Sequence, residues 1–379
     1  MSGSVDVLIA GGGPVGTVLA GSLAGSGLDV LVVDAGRPQG ETLRPIALSH
    51  GSRLLLERLD AFAGLAQTPI HAIHVSQRGG FGRTLLTCEE FDLPALGYVA
   101  NLPELAAHLG TRIAPPTLRA RVVGWEGGEA AARVRVERDG TQEEWQARLV
   151  VIADGGGGAR AGLAQRDYHQ VAIVAAVAVE AESAGIAWER FMPGGPLALL
   201  PFRERYALVW TVPSAAAPRL LESPAADFLA RLGAAFGGRL GRFVSVEGRA
   251  AYPLQLRFQR ETAAAPRVLV VGNAAQTLHP VAGQGLNLGL RDAGELAELV
   301  RATPASELGA ASFLARAARA RALDRNATIG LTDLLVRAFS NTNPAVALAR
   351  GLGLAALDVL PPARRFLARR MIFGSRALP

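Results

Sequence analysis

The N-terminal end of this chain combines a short apolar strand pattern with a glycine-rich turn and a small-residue helix pattern. The strand pattern covers residues 5–10, and the turn that follows includes Gly11, Gly13, Pro14 and Gly16. In such a turn the first glycine makes the tight bend, the second lets the backbone approach a pyrophosphate, and the third lets the helix pack on the strand. The order strand, turn, helix therefore predicts the first unit of an α/β fold.

A second strand pattern at residues 30–33 ends in an acidic residue, Asp34. A carboxylate at this place can accept hydrogen bonds from the hydroxyls of a ribose. With both strands, the helix and the carboxylate in register, the unit predicts that the chain binds a dinucleotide. The unit alone does not distinguish FAD from NAD.

A second glycine-rich segment follows the apolar strand pattern of residues 267–271 and leads into a helix pattern. Glycines let backbone N–H groups approach a ligand, and the positive end of a helix suits an electron-rich ring or a phosphate. Taken alone, the segment is also compatible with a purely structural connection. The segment includes Asn273, His279, Pro280, Gly283, Gln284, Gly285, Leu286 and Asn287.

Between these two segments, Asp154-Gly155 follows another strand pattern at residues 149–153. The ordered triplet of motifs resembles the FAD-dependent aromatic hydroxylases, the single-component flavin monooxygenases with the para-hydroxybenzoate hydroxylase type of fold. The resemblance covers nearly the whole chain. It implies an α/β protein with a Rossmann-like FAD-binding domain, an inserted mixed β-sheet substrate domain and a helical C-terminal tail. The implied cofactor is FAD.

The same resemblance implies where individual residues lie. The N-terminal unit holds the ADP half of FAD and Arg44 approaches the diphosphate, although a solvated loop arginine is the alternative. His279 and Pro280 lie near the reacting edge of the flavin, unless His279 is simply a satisfied turn residue. Backbone N–H groups of residues 283–287 face the flavin's N1–C2=O region and stabilise the anionic reduced ring. The rest of the implied cofactor site is Asp154, Gly155 and Asn273.

Several runs of sequence narrow the family. Residues 73–79 and 188–191 look like those of the ubiquinone-biosynthesis hydroxylases. Residues 324–333, together with Asn273 and Gln276, are similar to the 2-polyprenyl-6-methoxyphenol hydroxylase branch, whereas the wider family usually has Asp and His at those last two positions. The substrate that this resemblance implies is a polyprenylated phenol in ubiquinone biosynthesis.

The chemistry implied by the family resides mainly in the cofactor. Reduced flavin reacts with O2 to give a C4a-hydroperoxide that a phenol ring attacks, while NAD(P)H or another donor supplies electrons. The protein must orient the ring and exclude water. Phe191, Leu199 and Trp210 are candidates for an apolar substrate wall, although each is more often a core residue. The histidines show no metal-ligand spacing, so no metal site is expected.

Charge and cysteine content limit other functions. The formal net charge is +6, and every basic residue is arginine. No nucleic-acid-binding motif accompanies that charge, so nucleic acid is not an expected partner. The single cysteine fits a reducing compartment and no signal pattern precedes the first strand, so a cytoplasmic location is expected.

The strand and helix patterns divide the chain into discontinuous regions. Asp139-Gly140 predicts a hairpin turn, and residues 225–236 predict a long helix. The predicted regions are an FAD-binding domain of residues 1–70, 101–167 and 268–330, a substrate domain of residues 71–100 and 168–267, and a C-terminal helical region of residues 331–379.

The C-terminal region combines apolar and basic residues. Residues 345–360 are largely apolar, Pro361-Pro362 breaks the helix, and residues 363–373 interleave arginines with apolar side chains. The apolar run is too short and too interrupted to span a bilayer. Its basic amphipathic end predicts peripheral contact with the inner membrane face, with a helix packed on the core as the alternative.

The central motif departs from the family pattern, which commonly reads Asp-Gly-x-x-Ser-x-x-Arg. Here residues 156–160 are Gly-Gly-Gly-Ala-Arg, without the serine. This leaves nicotinamide recognition open and supports, as one alternative, a low-activity flavin-binding subunit of a quinone-biosynthesis complex. Another alternative is an FAD monooxygenase for a different aromatic substrate. A tryptophan halogenase is disfavoured, because the chain has no lysine and Trp210 has no Trp-x-Trp partner.

Overall fold

A computed structural model of the protein describes residues 3–36, 43–156, 162–181, 183–339 and 343–374. Residues 157–160 of the altered central motif lie outside the described residues. The strands are, in chain order, β1 (Gly3–Ala10), β2 (Val30–Val33), β3 (Pro45–Ser49), β4 (Gln67–Ile70), β5 (Ala72–Gln77), β6 (Arg83–Thr87), β7 (Gly97–Asn101), β8 (Thr117–Leu118), β9 (Arg121–Glu126), β10 (Ala132–Arg138), β11 (Thr141–Ile152), β12 (Leu163–Val179), β13 (Ile186–Phe191), β14 (Leu197–Phe202), β15 (Arg205–Pro213), β16 (Phe243–Gln259), β17 (Ala263–Ala265), β18 (Val268–Val270) and β19 (Gln276–Thr277). The α-helices are α1 (Pro14–Leu23), α2 (His50–Glu57), α3 (Leu102–Ile113), α4 (Ala217–Leu221), α5 (Ala225–Phe236), α6 (Gln284–Arg301), α7 (Ala311–Phe339), α8 (Pro344–Val359) and α9 (Pro361–Phe373).

The first sheet has the strand order β17-β18-β11-β1-β2-β8, and β18, β11, β1, β2 and β8 run parallel. Its central strand β1 is apolar at successive positions because both faces are covered. Val7 and Ile9 pack against α1, α3 and α6, whereas Leu8 and Ala10 pack toward β9 and β10 on the other face. Residues 139–140 form the turn between β10 and β11, so the predicted hairpin is confirmed.

The second sheet has the order β19-β16-β12-β15-β14-β13-β5-β6 and mixes antiparallel pairs with the parallel pair β5–β13. Helix α5, which confirms the predicted helix, packs on one face through Phe228, Leu232 and Phe236. A small third sheet has the strand order β3-β7-β4. The predicted architecture of an FAD domain, a mixed substrate sheet and C-terminal helices is thus confirmed. The proposed division at particular residues stays a prediction.

The chain ends in the three helices α7, α8 and α9. In the described part of the chain, no single helix is long and apolar enough to cross a membrane, while α8 and α9 together meet that criterion as a pair bent by 98°.

A buried ionic network fixes the second glycine-rich segment to the helices that follow it. The Asp292 carboxylate accepts hydrogen bonds from the Gly272 backbone N–H (3.0 Å) and the Gln276 amide (2.8 Å). Arg321 of α7 donates to the other Asp292 oxygen at 2.6 Å, and Arg325 donates to the Gln276 side-chain oxygen at 2.9 Å. All of these side chains are at most 8% exposed. The network therefore joins the turn, α6 and α7 into one unit.

We expect Asp292→Asn to lower the free energy of unfolding by about 1.5–3 kcal/mol, because it removes one charged hydrogen-bond partner of the buried Arg321 guanidinium, which keeps Glu295 and Asp324. Urea unfolding of the purified protein measures this change. Glu57→Gln is the control, since the Arg53–Glu57 pair lies at the surface and its loss costs under about 1 kcal/mol. Equal stability of the two variants would contradict a structural role for the network.

Candidate active site

One continuous cavity of about 2750 Å³ runs from the N-terminal glycine-rich turn to the C-terminal helices. It exceeds the roughly 300–1,000 Å³ of an ordinary small-molecule site, so it has room for more than one ligand. The predicted site residues that line it are Gly11, Gly13, Pro14, Asp34, Arg44, Asp154, Gly155, Phe191, Asn273, His279, Pro280, Gly283, Gly285 and Leu286.

The backbone of the N-terminal turn is arranged as its sequence requires. Gly11 has a φ of +115°, and a Cβ there would lie 2.6 Å from the Ala153 carbonyl oxygen. Gly16 does not line the cavity, and a Cβ on it would collide with the Gly11 carbonyl oxygen. Only glycine therefore permits this close approach of the turn, the strand and the helix.

Asp34 is connected to that turn by hydrogen bonds. Its carboxylate accepts from the backbone N–H groups of Gly12 (3.1 Å) and Gly36 (3.2 Å) and from the Arg119 guanidinium (3.1 Å). The carboxylate therefore lies at the carboxyl end of β2, beside the turn and inside the cavity, where a ribose can reach it.

Arg44 and the central motif line the same cavity. The Arg44 guanidinium lies 5.7 Å from the centre of the Tyr252 ring, and the Arg44 backbone N–H donates to the Asn101 side chain. The Asp154 carboxylate accepts a hydrogen bond from the Gly156 backbone N–H at 3.0 Å.

Two of the predicted cofactor residues, Gln284 and Asn287, support the distal turn (residues 279–283) from outside the cavity. The Asn287 side chain accepts from the Ser49 backbone N–H (2.8 Å) and donates to the carbonyl oxygens of Ala47 and Gly283, at 2.8 Å each. The Gln284 amide donates to the Met371 carbonyl oxygen at 3.3 Å. These bonds tie the start of α6 to β3 and α9. Gly283, with a φ of +60°, is held closely against Ala47.

His279 is 1% exposed and lies directly before Pro280 in the distal turn. Its Nδ1 accepts a hydrogen bond from the Val281 backbone N–H at 3.1 Å, and its ring meets the Tyr168 ring edge to face at 5.5 Å. Burial lowers the pKa of His279 to about 4, so the imidazole is neutral at pH 7. The proton therefore resides on Nε2, which has no partner among the described residues. The turn satisfies one ring nitrogen only.

The predicted apolar wall is divided between the two faces of the second sheet. Phe191 lines the cavity and stacks on Phe339 with a centroid distance of 3.6 Å. Leu199 and Trp210 do not line it, because they lie on the opposite face, in the core beneath α5. Successive residues of a strand alternate between faces. The cavity face of these strands carries instead Ala198, Leu200, Val209 and Thr211.

One lining residue was missed by the sequence reasoning. Glu189 lies at the centre of β13, and its side chain faces the cavity. Burial raises the pKa of its carboxyl to about 7. The available signal was a carboxylate between Ala187 and Phe191, the apolar residues that share its face of the strand.

The site contains the features that an FAD molecule requires. The glycine turn and Asp34 suit the pyrophosphate and ribose, and a buried imidazole N–H without a partner lies beside the distal turn. Within the described ranges, no group of three or more His, Cys, Asp or Glu side chains could hold a metal ion.

Comparisons with known proteins agree with this arrangement. The profile of the FAD binding domain family matches residues 4–323. The ubiquinone hydroxylase UbiL of Rhodospirillum rubrum is 36% identical, over 96% of this chain and 88% of its own length. The 3-demethoxyubiquinol 3-hydroxylase of Escherichia coli is 30% identical, over 93% of this chain and 94% of its own length.

A solved structure has the same fold. It is the p-nitrophenol 4-monooxygenase PnpA of Pseudomonas putida, with a TM-score of 0.78 and 16% identity, covering 99% of this chain and 100% of that one. The chain therefore belongs to the FAD-binding monooxygenases, and the predicted cofactor FAD is confirmed. Within them, it is an FAD-dependent aromatic hydroxylase of the ubiquinone-biosynthesis family.

We expect Asp34→Ala to weaken FAD binding about 10- to 100-fold, because the charged hydrogen bonds it removes contribute about 1.5–3 kcal/mol. Titration of the apoprotein with FAD, followed by flavin fluorescence, measures the Kd. Asp139→Asn is the control, because this 93% exposed carboxylate lies in the β10–β11 turn. A Kd unchanged in both variants would mean that Asp34 does not contact the cofactor.

Proposed function

We propose that this enzyme hydroxylates the aromatic ring of a polyprenylated phenol in ubiquinone biosynthesis. The cavity carries the proposal, because it continues past the distal turn as an apolar channel between the second sheet and α7–α9. A soluble aromatic substrate would not need this extension. The channel is lined by Leu335, Phe339, Leu354, Leu357, Leu367, Met371 and Ile372, among others.

The names of the relatives support the same substrate class. The matched proteins include a ubiquinone hydroxylase and a demethoxyubiquinol hydroxylase. The ring position and the prenyl length of the substrate do not follow from identities of 36% and 30%.

The reaction consumes the phenol, O2, two electrons and two protons, and it yields a hydroxylated phenol and water. When bound, FAD supplies the chemistry that activates O2. The chain's own residues hold the phenol ring beside the Pro280–Gly283 turn and exclude water through the apolar faces of the second sheet and α7. The electron donor in this proposal is NAD(P)H or another reductant.

A low-activity flavin-binding subunit of a quinone-biosynthesis complex is the second candidate. Its support in the sequence is the central motif without serine, and residues 157–160 of that motif lie outside the described structure. The continuous channel favours a catalytic role, because a subunit with little activity has no need of a substrate-sized space beside its flavin site. Membership of such a complex is compatible with either function.

The purified, FAD-loaded protein should hydroxylate a farnesyl-substituted phenol, adding one oxygen atom that mass spectrometry detects. We expect Gly353→Phe to raise the KM for this substrate roughly tenfold or more, while chainless phenol is converted as before. Gly353 lines the channel, and a Cβ there would meet nothing within 4 Å, so the ring can extend into the channel space.

Gly330→Phe is the matched control, since Gly330 is also a helical glycine with open space but does not line the cavity. Absence of any hydroxylated product from the farnesyl phenol would overturn the proposed substrate class. Conversion of chainless phenol with a higher kcat/KM would favour the alternative of a soluble aromatic substrate.

We also propose that α8 and α9 contact a membrane surface peripherally, at the inner face of the cytoplasmic membrane. One face of α8 lines the channel, yet its opposite face exposes Leu348 and Leu352, at 54% and 57%. Helix α9 adds exposed Phe366 beside the exposed Arg365 and Arg369. Apolar residues flanked by arginines suit the headgroup boundary of an anionic bilayer, from which a prenylated substrate would enter.

Leu352→Glu should weaken binding to vesicles containing phosphatidylglycerol about tenfold or more, because burial of one leucine contributes about 1.5–3 kcal/mol. Vesicle co-sedimentation measures the partition. Leu323→Glu is the matched control, since Leu323 of α7 is 66% exposed but lies outside the α8–α9 surface. Equal partition of the two variants, or no binding of the parent protein to the vesicles, would contradict membrane contact by α8 and α9.

A further inference from the structure

Two segments whose sequences resemble those of the ubiquinone-biosynthesis hydroxylases are neighbours in the second sheet. Strand β5, from the 73–79 run, pairs in parallel with β13, from the 188–191 run, and the Arg78 backbone N–H donates to the Phe191 carbonyl oxygen at 2.8 Å. In this register Glu189 lies opposite Val75 on one side and Ala198 of β14 on the other. A single row therefore crosses the cavity face of the sheet. Its members, all lining the cavity, are Thr84, Val75, Glu189, Ala198, Val209 and Val174.

Glu189 is the charged member of that row, and nothing in the described structure compensates its charge. No described residue forms a hydrogen bond or an ion pair with its carboxylate. Burial of an ionised carboxylate without a partner costs free energy, unless a bound ligand supplies a hydrogen bond to it. Positions held for packing alone would carry an apolar side chain, as Val75, Ala198, Val209 and Val174 of the row do.

The strand turns this carboxyl toward the cavity that the turn containing Pro280 also lines. Two residues further along β13, Phe191 packs in one buried cluster with Val281. Two residues earlier, Ala187 packs in a cluster that includes Ala47, and a Cβ on Gly283 would lie 3.2 Å from Ala47. On β13, Glu189 thus lies between two residues whose apolar clusters extend to the 280–283 turn, one through Val281 and the other through Ala47. The same turn contains Pro280, which the family resemblance predicts to lie near the reacting edge of the flavin.

We propose that Glu189 is a catalytic residue that accepts the proton of the substrate's phenol O–H group. The inference rests on the proposed function, because it requires a phenol in the cavity. As a ring carbon forms its bond to one atom of O2, the O–H bond breaks and its proton passes to a Glu189 carboxylate oxygen. The other atom of O2 leaves as water with the two electrons of the reductant. Loss of the ring C–H proton then restores the aromatic ring, and Glu189 returns its proton to the phenol oxygen.

The titration of this part of the cavity can be attributed to Glu189. Other ionisable groups that line the cavity are His279 of the distal turn, Tyr252 of β16 with Arg44 against its ring, Arg350 of α8 and Arg364 of α9. Arginine stays protonated at all accessible pH values, and His279 is neutral because burial lowers its pKa to about 4. Burial raises the pKa of Glu189 to about 7, so its acceptor form is gained as pH rises through 7.

The test compares the parent with Glu189→Gln, using farnesyl-substituted phenol as the probe. In the parent, kcat/KM should rise with pH through about 7. In the variant, activity at pH 7 should fall about 10²- to 10⁴-fold, the range for loss of a general base. Activity should partly return as the pH approaches about 10, where the phenol ionises by itself. The variant should keep its bound-flavin spectrum, and Glu204→Gln, in the exposed β14–β15 turn, should match the parent.

A binding measurement separates this role from a structural one. Calorimetric titration of the parent with the probe at pH 6.5, in buffers of different ionisation enthalpy, should show proton release, because the phenol selects the ionised carboxyl. Proton uptake would show a protonated Glu189 that donates instead, and no change would show no contact, so either result overturns the proposal. An equally active Glu189→Gln variant with the parent's pH profile would also overturn it. A parent that hydroxylates no phenol defeats the proposed function itself.

Discussion

The carboxylate of Asp292 is the interaction on which the arrangement of the site depends. It is buried, and it joins three parts of the chain: the Gly272–Gln276 turn, its own helix α6, and α7 through Arg321. Because α7 leads into α8 and α9, the same network that holds the Gly272–Gln276 turn also positions the helices that cover the cavity. Charges buried in this way are stable only when each has a partner, so the parts must assemble together.

Gln276, whose identity is similar to that in one branch of the family, has a structural role in the buried network. Its amide donates to Asp292 and its carbonyl oxygen accepts from Arg325, so it lies between an anion and a cation. Residues 324–333, which pointed to the same enzyme branch, contain this arginine. The two sequence features are therefore the two sides of one buried contact. They hold the turn in place and do not themselves line the cavity.

The two faces of the second sheet have different roles, because successive residues of a strand point to opposite faces. The face under α5 holds large apolar side chains such as Leu199 and Trp210. The opposite face holds several short side chains, such as Ala198, Val209 and Thr211, and borders the open space of the cavity. Glu189 projects from this second face and brings a carboxyl group to the cavity. The division also explains why one wall candidate, Phe191, lines the cavity and two do not.

The sequence by itself determined the α/β class, the glycine turn and the acidic end of β2, because these depend on local backbone requirements within short segments. The FAD cofactor followed from the resemblance of the three ordered motifs to a known family, since the N-terminal unit alone does not distinguish FAD from NAD. The sequence also indicated the helical tail and the β10–β11 turn. Only the tertiary structure decided that Gln284 and Asn287 support the turn from behind, since their partners are distant in sequence. It likewise decided which face of β13 meets the cavity. Alternation predicts two faces for a strand, but which face is core depends on the helix that packs against it.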